Sequence, residues 1–207
     1  METLTSALLA ILLSVPVSYV DAPPHAMPVP HAIAMNTWQY EQGDGLIVDT
    51  KNNTGYLFHE DGRYISFPVV TGQRRRVYYI GRSYFAATPN RQWNGKSLEI
   101  KGDRVTFGPS GKFLRLFSEQ ERTLYGIHTH RDEDIMFQED EPITRYRSMG
   151  CIIVQKNIMD LIEITFHGNE ERLNVITLDG VVNLGETMTA LREDIKNVET
   201  DGQYALY

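Results

Sequence analysis

At 207 residues the chain has room for one domain with a core of its own plus short appendages, and 42% apolar with 23% charged residues excludes a largely disordered chain. A net charge of -7 provides no positive field over the whole molecule, which argues against nucleic acid as a partner. Cys151 is the only cysteine, so no intrachain disulfide can form and any thiol chemistry falls to that residue.

The first expected element is the apolar run SALLAILLSVPVSYV at 6–20, too short for a comfortable membrane span and positioned as the core of a signal peptide. Export is therefore expected, to the periplasm or cell envelope, with a cleaved leader and an uncleaved membrane tether both open. The residues before the run carry Glu2 and no Lys or Arg, and the best cleavage position, Ala22, stands before Pro23. The following DAPPHAMPVPHA reads as an extended spacer in which His25 and His31 have no assigned role. These features divide the chain into a leader and linker at 1–35, a folded domain at 36–183, and a C-terminal helix with a loose tail at 184–207.

Beyond residue 36, short runs of Val, Ile, Tyr, Phe and Thr alternate with Gly, Asp and Asn turns, the texture of a mainly β domain. Strands are expected at 45–49, 55–59 and 63–70, joined as a meander, then at 76–80, 96–101, 103–107, 124–128, 150–154 and 173–178. Arg74, Arg75, Arg76 and Arg82 form a short basic cluster, read as a solvated loop or, if it binds anything, a seat for small carboxylates. Ile158, Leu161, Ile162 and Thr165 recur at helical spacing, predicting a helix over 157–166 capped by Asn157. Met188, Leu191, Ile195 and Val198 predict another over 186–198.

Chemistry concentrates in two segments, LYGIHTH at 124–130 and RSMGCIIV at 147–154. Gly150 before Cys151 permits a tight turn and lets a substrate carbonyl approach the backbone amides. A free cysteine has a pKa near 8.5, so only about 3% is thiolate at neutral pH, and His128 is the candidate base. A competing reading is a metal site: His128 and His130 would share one strand face, with Glu133, Asp134, His59 or His167 completing the ligand set.

The order of these features resembles the catalytic domain of L,D-transpeptidases, the YkuD family, whose hallmark is a histidine followed after a loop by Ser/Thr-His-Gly-Cys. Here the first histidine stands in YGIHTH and the later segment reads Ser148, Met149, Gly150, Cys151. IVDTKNNTGYLFHEDGRYISFPVVTG at 47–72 is similar to the family's opening, and the likeness extends over about 46–178. The resemblance implies an L,D-transpeptidase-like β-sandwich with one or two short helices and needs neither cofactor nor metal. Cys151 matches the nucleophile and His128 its base, while the Thr129 carbonyl orients the imidazole. The amides of Gly150 and Cys151 match an oxyanion hole, and Ser148 a supporting position. The implied partners are peptidoglycan stem peptides, as acyl donor and amine acceptor, and the implied inhibitors are carbapenems.

Three departures qualify the match. Met149 replaces the family's second histidine, Ile153 stands where Arg or Asn commonly follows the cysteine by two, and Thr88-Pro89-Asn90 only weakly echoes a T-P-x-G turn. The loop from 129 to 147 carries Asp132, Glu133, Asp134, Glu139, Asp140 and Glu141, then Arg145 and Arg147. It reads as a solvated flap, or as a surface whose acids recruit an amine while Arg145 or Arg147 holds a peptide carboxylate. Besides crosslinking, two outcomes stay open: a carboxypeptidase or wall-linkage hydrolase using water, and a non-catalytic wall-binding module.

Overall fold

The computed structural model describes residues 29–79 and 81–193. The apolar run at 6–20 and the part of the expected final helix beyond 193 lie outside the described residues. In chain order the strands are β1 (His31–Ala32), β2 (Gly45–Asp49), β3 (Thr54–Phe58), β4 (Arg63–Pro68), β5 (Thr71–Gly72), β6 (Arg75–Tyr79) and β7 (Arg82–Ala86). Then come β8 (Arg91–Ile100), β9 (Lys112–Ser118), β10 (Glu121–His128), β11 (Tyr146–Ser148), β12 (Ile152–Ile153) and β13 (Leu173–Leu178). The helices are α1 (Glu133–Met136) and α2 (Lys156–Gly168), with 3-10 turns at Met35–Thr37 and Pro142–Arg145 and a helical segment over 184–193.

Nine strands form one mixed sheet in the order β1-β4-β3-β2-β13-β8-β9-β10-β12, and β11-β5 and β6-β7 form two small ribbons. The mainly β expectation holds. β13 lies between β2, with which it runs parallel, and β8, with which it runs antiparallel. Every residue of β2 is buried because both faces of the strand are covered. Leu46 and Val48 enter the main core, while Ile47 joins Phe58, Met188 and Leu191 in a second cluster under the 184–193 segment. That segment thus completes the back of the sheet that the meander begins.

α2 covers the main core with Ile158, Met159, Ile162, Thr165 and Phe166, a stripe at helical spacing. Each fully buried large apolar side chain of this kind contributes about 1.5–3 kcal/mol. The helix begins one residue before its expected start, and Gln155, not Asn157, is the N-cap. The Asn157 amide reaches Met35 Sδ at 3.4 Å instead. At the other end Asn169 accepts from the Gly43 amide and donates to the Asp44 carbonyl, both at 3.0 Å, tying α2 to the turn before β2.

The same turn holds Asp44, wholly buried and bonded to His59 Nδ1 at 2.7 Å, with the Trp38 ring stacked on His59 at 4.0 Å. Burial pushes the Asp44 carboxyl up to about 6, against the hydrogen bonds from the Glu41 amide and His59.

Three expectations differ from what is observed. Residues 103–107 form turns, because the Asp103 carboxylate accepts from the amides of Val105 and Thr106 and holds the chain in a local loop. β9 and β7 were not anticipated. Part of the expected linker is ordered: β1 pairs with β4, and Ile33 and Met35 pack on the core.

Candidate active site

β10 and β12 lie side by side in parallel, with Ile127 opposite Ile152 and His128 opposite Ile153. Ile127 and Ile152 face the core, so strand alternation turns His128 and Ile153 to the other side, where both line a cavity of about 470 Å³. Cys151 precedes β12 by one residue and lines the same cavity, diagonal to His128 across the strand pair.

His128 is buried, set between the rings of Phe107 at 5.0 Å and Phe113 at 5.6 Å. Its Nδ1–H donates to the Thr129 carbonyl at 2.7 Å, which leaves Nε2 as the lone-pair nitrogen of a neutral ring. Burial is the main reason its pKa falls to about 4, the Thr129 bond working in the opposite direction. This imidazole is neutral across the physiological range and can accept a proton.

The turn holding Cys151 is cross-braced. The Gly150 amide donates to Ser148 Oγ at 3.0 Å, and the Ser148 hydroxyl donates to the Cys151 carbonyl at 2.6 Å. Gly150 has φ +125°, and a Cβ there would lie 2.7 Å from the Tyr125 ring and 3.0 Å from the Ala87 carbonyl, so only glycine fits. The Thr88 hydroxyl donates to the Gly150 carbonyl at 2.9 Å and accepts from the Gly72 amide at 3.1 Å. The Gln73 amide donates to the Ser148 carbonyl at 3.1 Å. Cys151 is intermediate in exposure, its thiol donating to the Leu124 carbonyl at 3.8 Å rather than to His128. Burial pushes that thiol above its ordinary value, with the Gly126 amide and Arg115 acting in the opposite sense.

Behind the imidazole, Arg115 lies over the Phe113 ring at 4.4 Å and forms a paired bond to Glu99, both contacts at 2.9 Å. Arg115 is the chief cause holding Glu99 well below the usual carboxylate range, with Lys101 and Arg122 adding to it. Sequence reasoning missed Phe107, Phe113 and Arg115, and met Thr88 only as part of a weak echo of the family's T-P-x-G turn.

Of the other expected site residues, Ser148, Met149 and Arg147 line the cavity with Cys151 and His128. Arg145 does not. It is buried, and its guanidinium donates to the carbonyls of Glu139 and Asp140 at 3.1 and 3.0 Å, fastening the loop before β11. None of the six loop acids lines the cavity. The ligand set of the competing metal reading does not converge: His59 is paired with Asp44, and His167 lies beside Glu171 at the end of α2. Among the described residues no group of three His, Cys, Asp or Glu is arranged to hold an ion.

The YkuD family model, L,D-transpeptidase catalytic domain, matches residues 43–170. Among solved structures, the chain is similar to an L,D-transpeptidase from Xylanimonas cellulosilytica, with 17% identity, TM-score 0.47, and coverage of 68% of this chain and 63% of that one. It is also similar to Bd1075 of Bdellovibrio bacteriovorus, with 14% identity, TM-score 0.47, and coverage of 77% and 56%. An Enterococcus faecium L,D-transpeptidase mutant gives 16% identity, TM-score 0.41, and coverage of 67% and 50%. The chain thus spans between half and two thirds of those structures. Comparison with curated proteins finds no match.

Proposed function

Since this chain belongs to the YkuD family of L,D-transpeptidase catalytic domains, we propose that it is a cysteine acyltransferase acting on peptidoglycan stem peptides in the cell envelope. The observation that carries the reading is the shared cavity of His128 and Cys151, with His128 Nδ1 anchored on the Thr129 carbonyl so that Nε2 is the nitrogen available to a thiol.

In the proposed cycle, the thiol exchanges the Leu124 carbonyl for His128 Nε2 and gives up its proton there. The thiolate attacks the carbonyl carbon of the third stem residue. The tetrahedral adduct collapses, the C–N bond breaks, and the imidazolium protonates the departing amine of D-alanine. A thioester to Cys151 remains. An amine from a second stem, deprotonated by His128, attacks that thioester and forms the crosslink, while the thiolate leaves and recovers its proton. The Gly150 amide is engaged by Ser148 Oγ, so the Cys151 amide is the donor assigned to the oxyanion. Because burial raises the thiol and lowers the imidazole, the resting pair is neutral and the proton moves to His128 at the start of each cycle.

Water in place of the amine gives a carboxypeptidase at the same residues, and product analysis with and without acceptor separates the two. The primary test is mass measurement after exposure to a carbapenem. One covalent adduct is expected on the unaltered chain and none on Cys151→Ala; an unmodified parent chain would sink the reading. Among the described residues no helix is long and apolar enough to cross a membrane. A membrane tether through 6–20 remains part of the proposal, tested by fractionating the full chain.

A further inference from the structure

The cavity lining is rich in hydrogen-bond donors. Its walls include Lys101, Arg115, Arg147 and His130, and no Asp or Glu, although the chain as a whole carries a net charge of -7. The nearby acids are engaged by these and other cations: Glu99 by Lys101, Arg115 and Arg122, and Asp132, whose carboxylate lies 4.0 Å from His130 Nδ1, by Arg131 at 2.8 Å. A pocket lined by donors, with no carboxylate among them, fits an anionic end of a ligand.

His130 is the group whose state the geometry fixes best. Its Nδ1 accepts a hydrogen bond from the Asp132 backbone amide at 3.0 Å, so Nδ1 holds no proton and Nε2 carries the ring N–H. The backbone on either side is anchored: the Thr129 hydroxyl donates to the Phe107 carbonyl at 3.2 Å, and the Arg131 amide donates to the Val105 carbonyl at 3.0 Å. The side chain keeps 17% of its surface open. His128 has the opposite arrangement, Nδ1–H donating to a carbonyl, so the two rings on this cavity offer one acceptor and one donor. The Met149 side chain presents on the same cavity a thioether that accepts from the Gln73 side-chain amide at 3.5 Å, and it carries no N–H.

We propose that His130 is a substrate-binding residue whose Nε2–H, together with the Arg147 guanidinium, seats the terminal carboxylate of the acyl-donor peptide. This rests on the acyltransfer reading for the identity of the donor, and it adds a recognition element for a free carboxylate. Seating that group fixes the leaving residue, so the scissile carbonyl is presented to Cys151 in one orientation.

The test compares two tetrapeptide stems, one ending in a free carboxylate and one in a carboxamide. With the unaltered chain the free acid is expected to be the better donor. His130→Ala should lower kcat/KM for the free acid about tenfold, mostly through KM, and change the amide by less than about twofold. His130→Gln, which retains an N–H donor, should recover most of the loss. Equal losses for both peptides, or no recovery with Gln, overturns the proposal. A second arm measures binding of the same peptides to Cys151→Ala by calorimetry, which needs no turnover. A free-acid preference that vanishes when His130→Ala is added supports the seat, and equal affinities for acid and amide overturn it. A chain that binds the free acid through His130 but forms no acyl adduct fails the acyltransfer reading alone.

Discussion

Two buried histidines sit in different surroundings, and only one of them borders the cavity. His59 and His128 are 1% and 3% exposed, and each uses Nδ1 in a 2.7 Å hydrogen bond. His59 faces the Asp44 carboxylate beneath the Trp38 ring, and its Nε2 is buried with no partner. His128 faces a backbone carbonyl between two phenylalanine rings, on a cavity that also holds the only sulfhydryl of the chain. Burial alone therefore does not single out the proposed base; its place on the cavity shared with Cys151 does.

The contrast can be broken in order of expected effect. Replacing His128 with Gln should slow acylation of Cys151 by about 10²–10⁴-fold, the usual contribution of a positioned base, measured as the rate of adduct formation. His59→Gln should leave that rate within a few fold. A comparable loss from both would mean that the site depends on the core rather than on the base. Next is pH. The His128 value of about 4 is depressed, so its lone pair is present above that pH and lost below it. The acid limb of the acylation rate should fall near 4, more than two units below an ordinary histidine. A limb near 6.5 would show that the ring is solvated before attack.

Stability reverses the ranking of the two histidines. Asp44→Ala leaves His59 buried without its partner and should cost about 3 kcal/mol in denaturant unfolding. Gly150→Ala should cost about 2 kcal/mol and impair acylation, since it combines a left-handed backbone with a clash on Tyr125. Thr88→Val should be the mildest, about 1 kcal/mol with a several-fold slower acylation, because it releases only the Gly150 carbonyl and the Gly72 amide. An acylation rate unchanged in Thr88→Val would show that the cysteine turn holds its shape without that brace.

Legibility in the sequence followed the range of the interactions. β2 and β13 could be bounded to the residue, since each is an apolar run between turns and is buried by its local pattern. β9 was invisible because Lys112 and Arg115 give it the look of surface. Arg115 is buried only because Glu99, on the neighbouring strand, neutralises it. The nucleophile and base candidates stood in GC and IHTH, local features that the family resemblance, not their spacing alone, singled out. Their supports were not legible, since Thr88 meets Gly150 across 62 residues of chain. Arg145 misled for the same reason: a charge in an acidic loop suggests a ligand, and only the folded chain reveals the Glu139 and Asp140 carbonyls that occupy it.

The central position of β13 has a consequence for synthesis. Translation delivers β2 and β8 long before Leu173–Leu178, the strand that joins them, and β13 lies beyond the end of the matched family segment at 170. Until it emerges, the two half-sheets present unpaired edges, so this domain closes late and all at once. Ending the chain at the limit of the family match would therefore yield an aggregation-prone fragment, not a smaller folded domain.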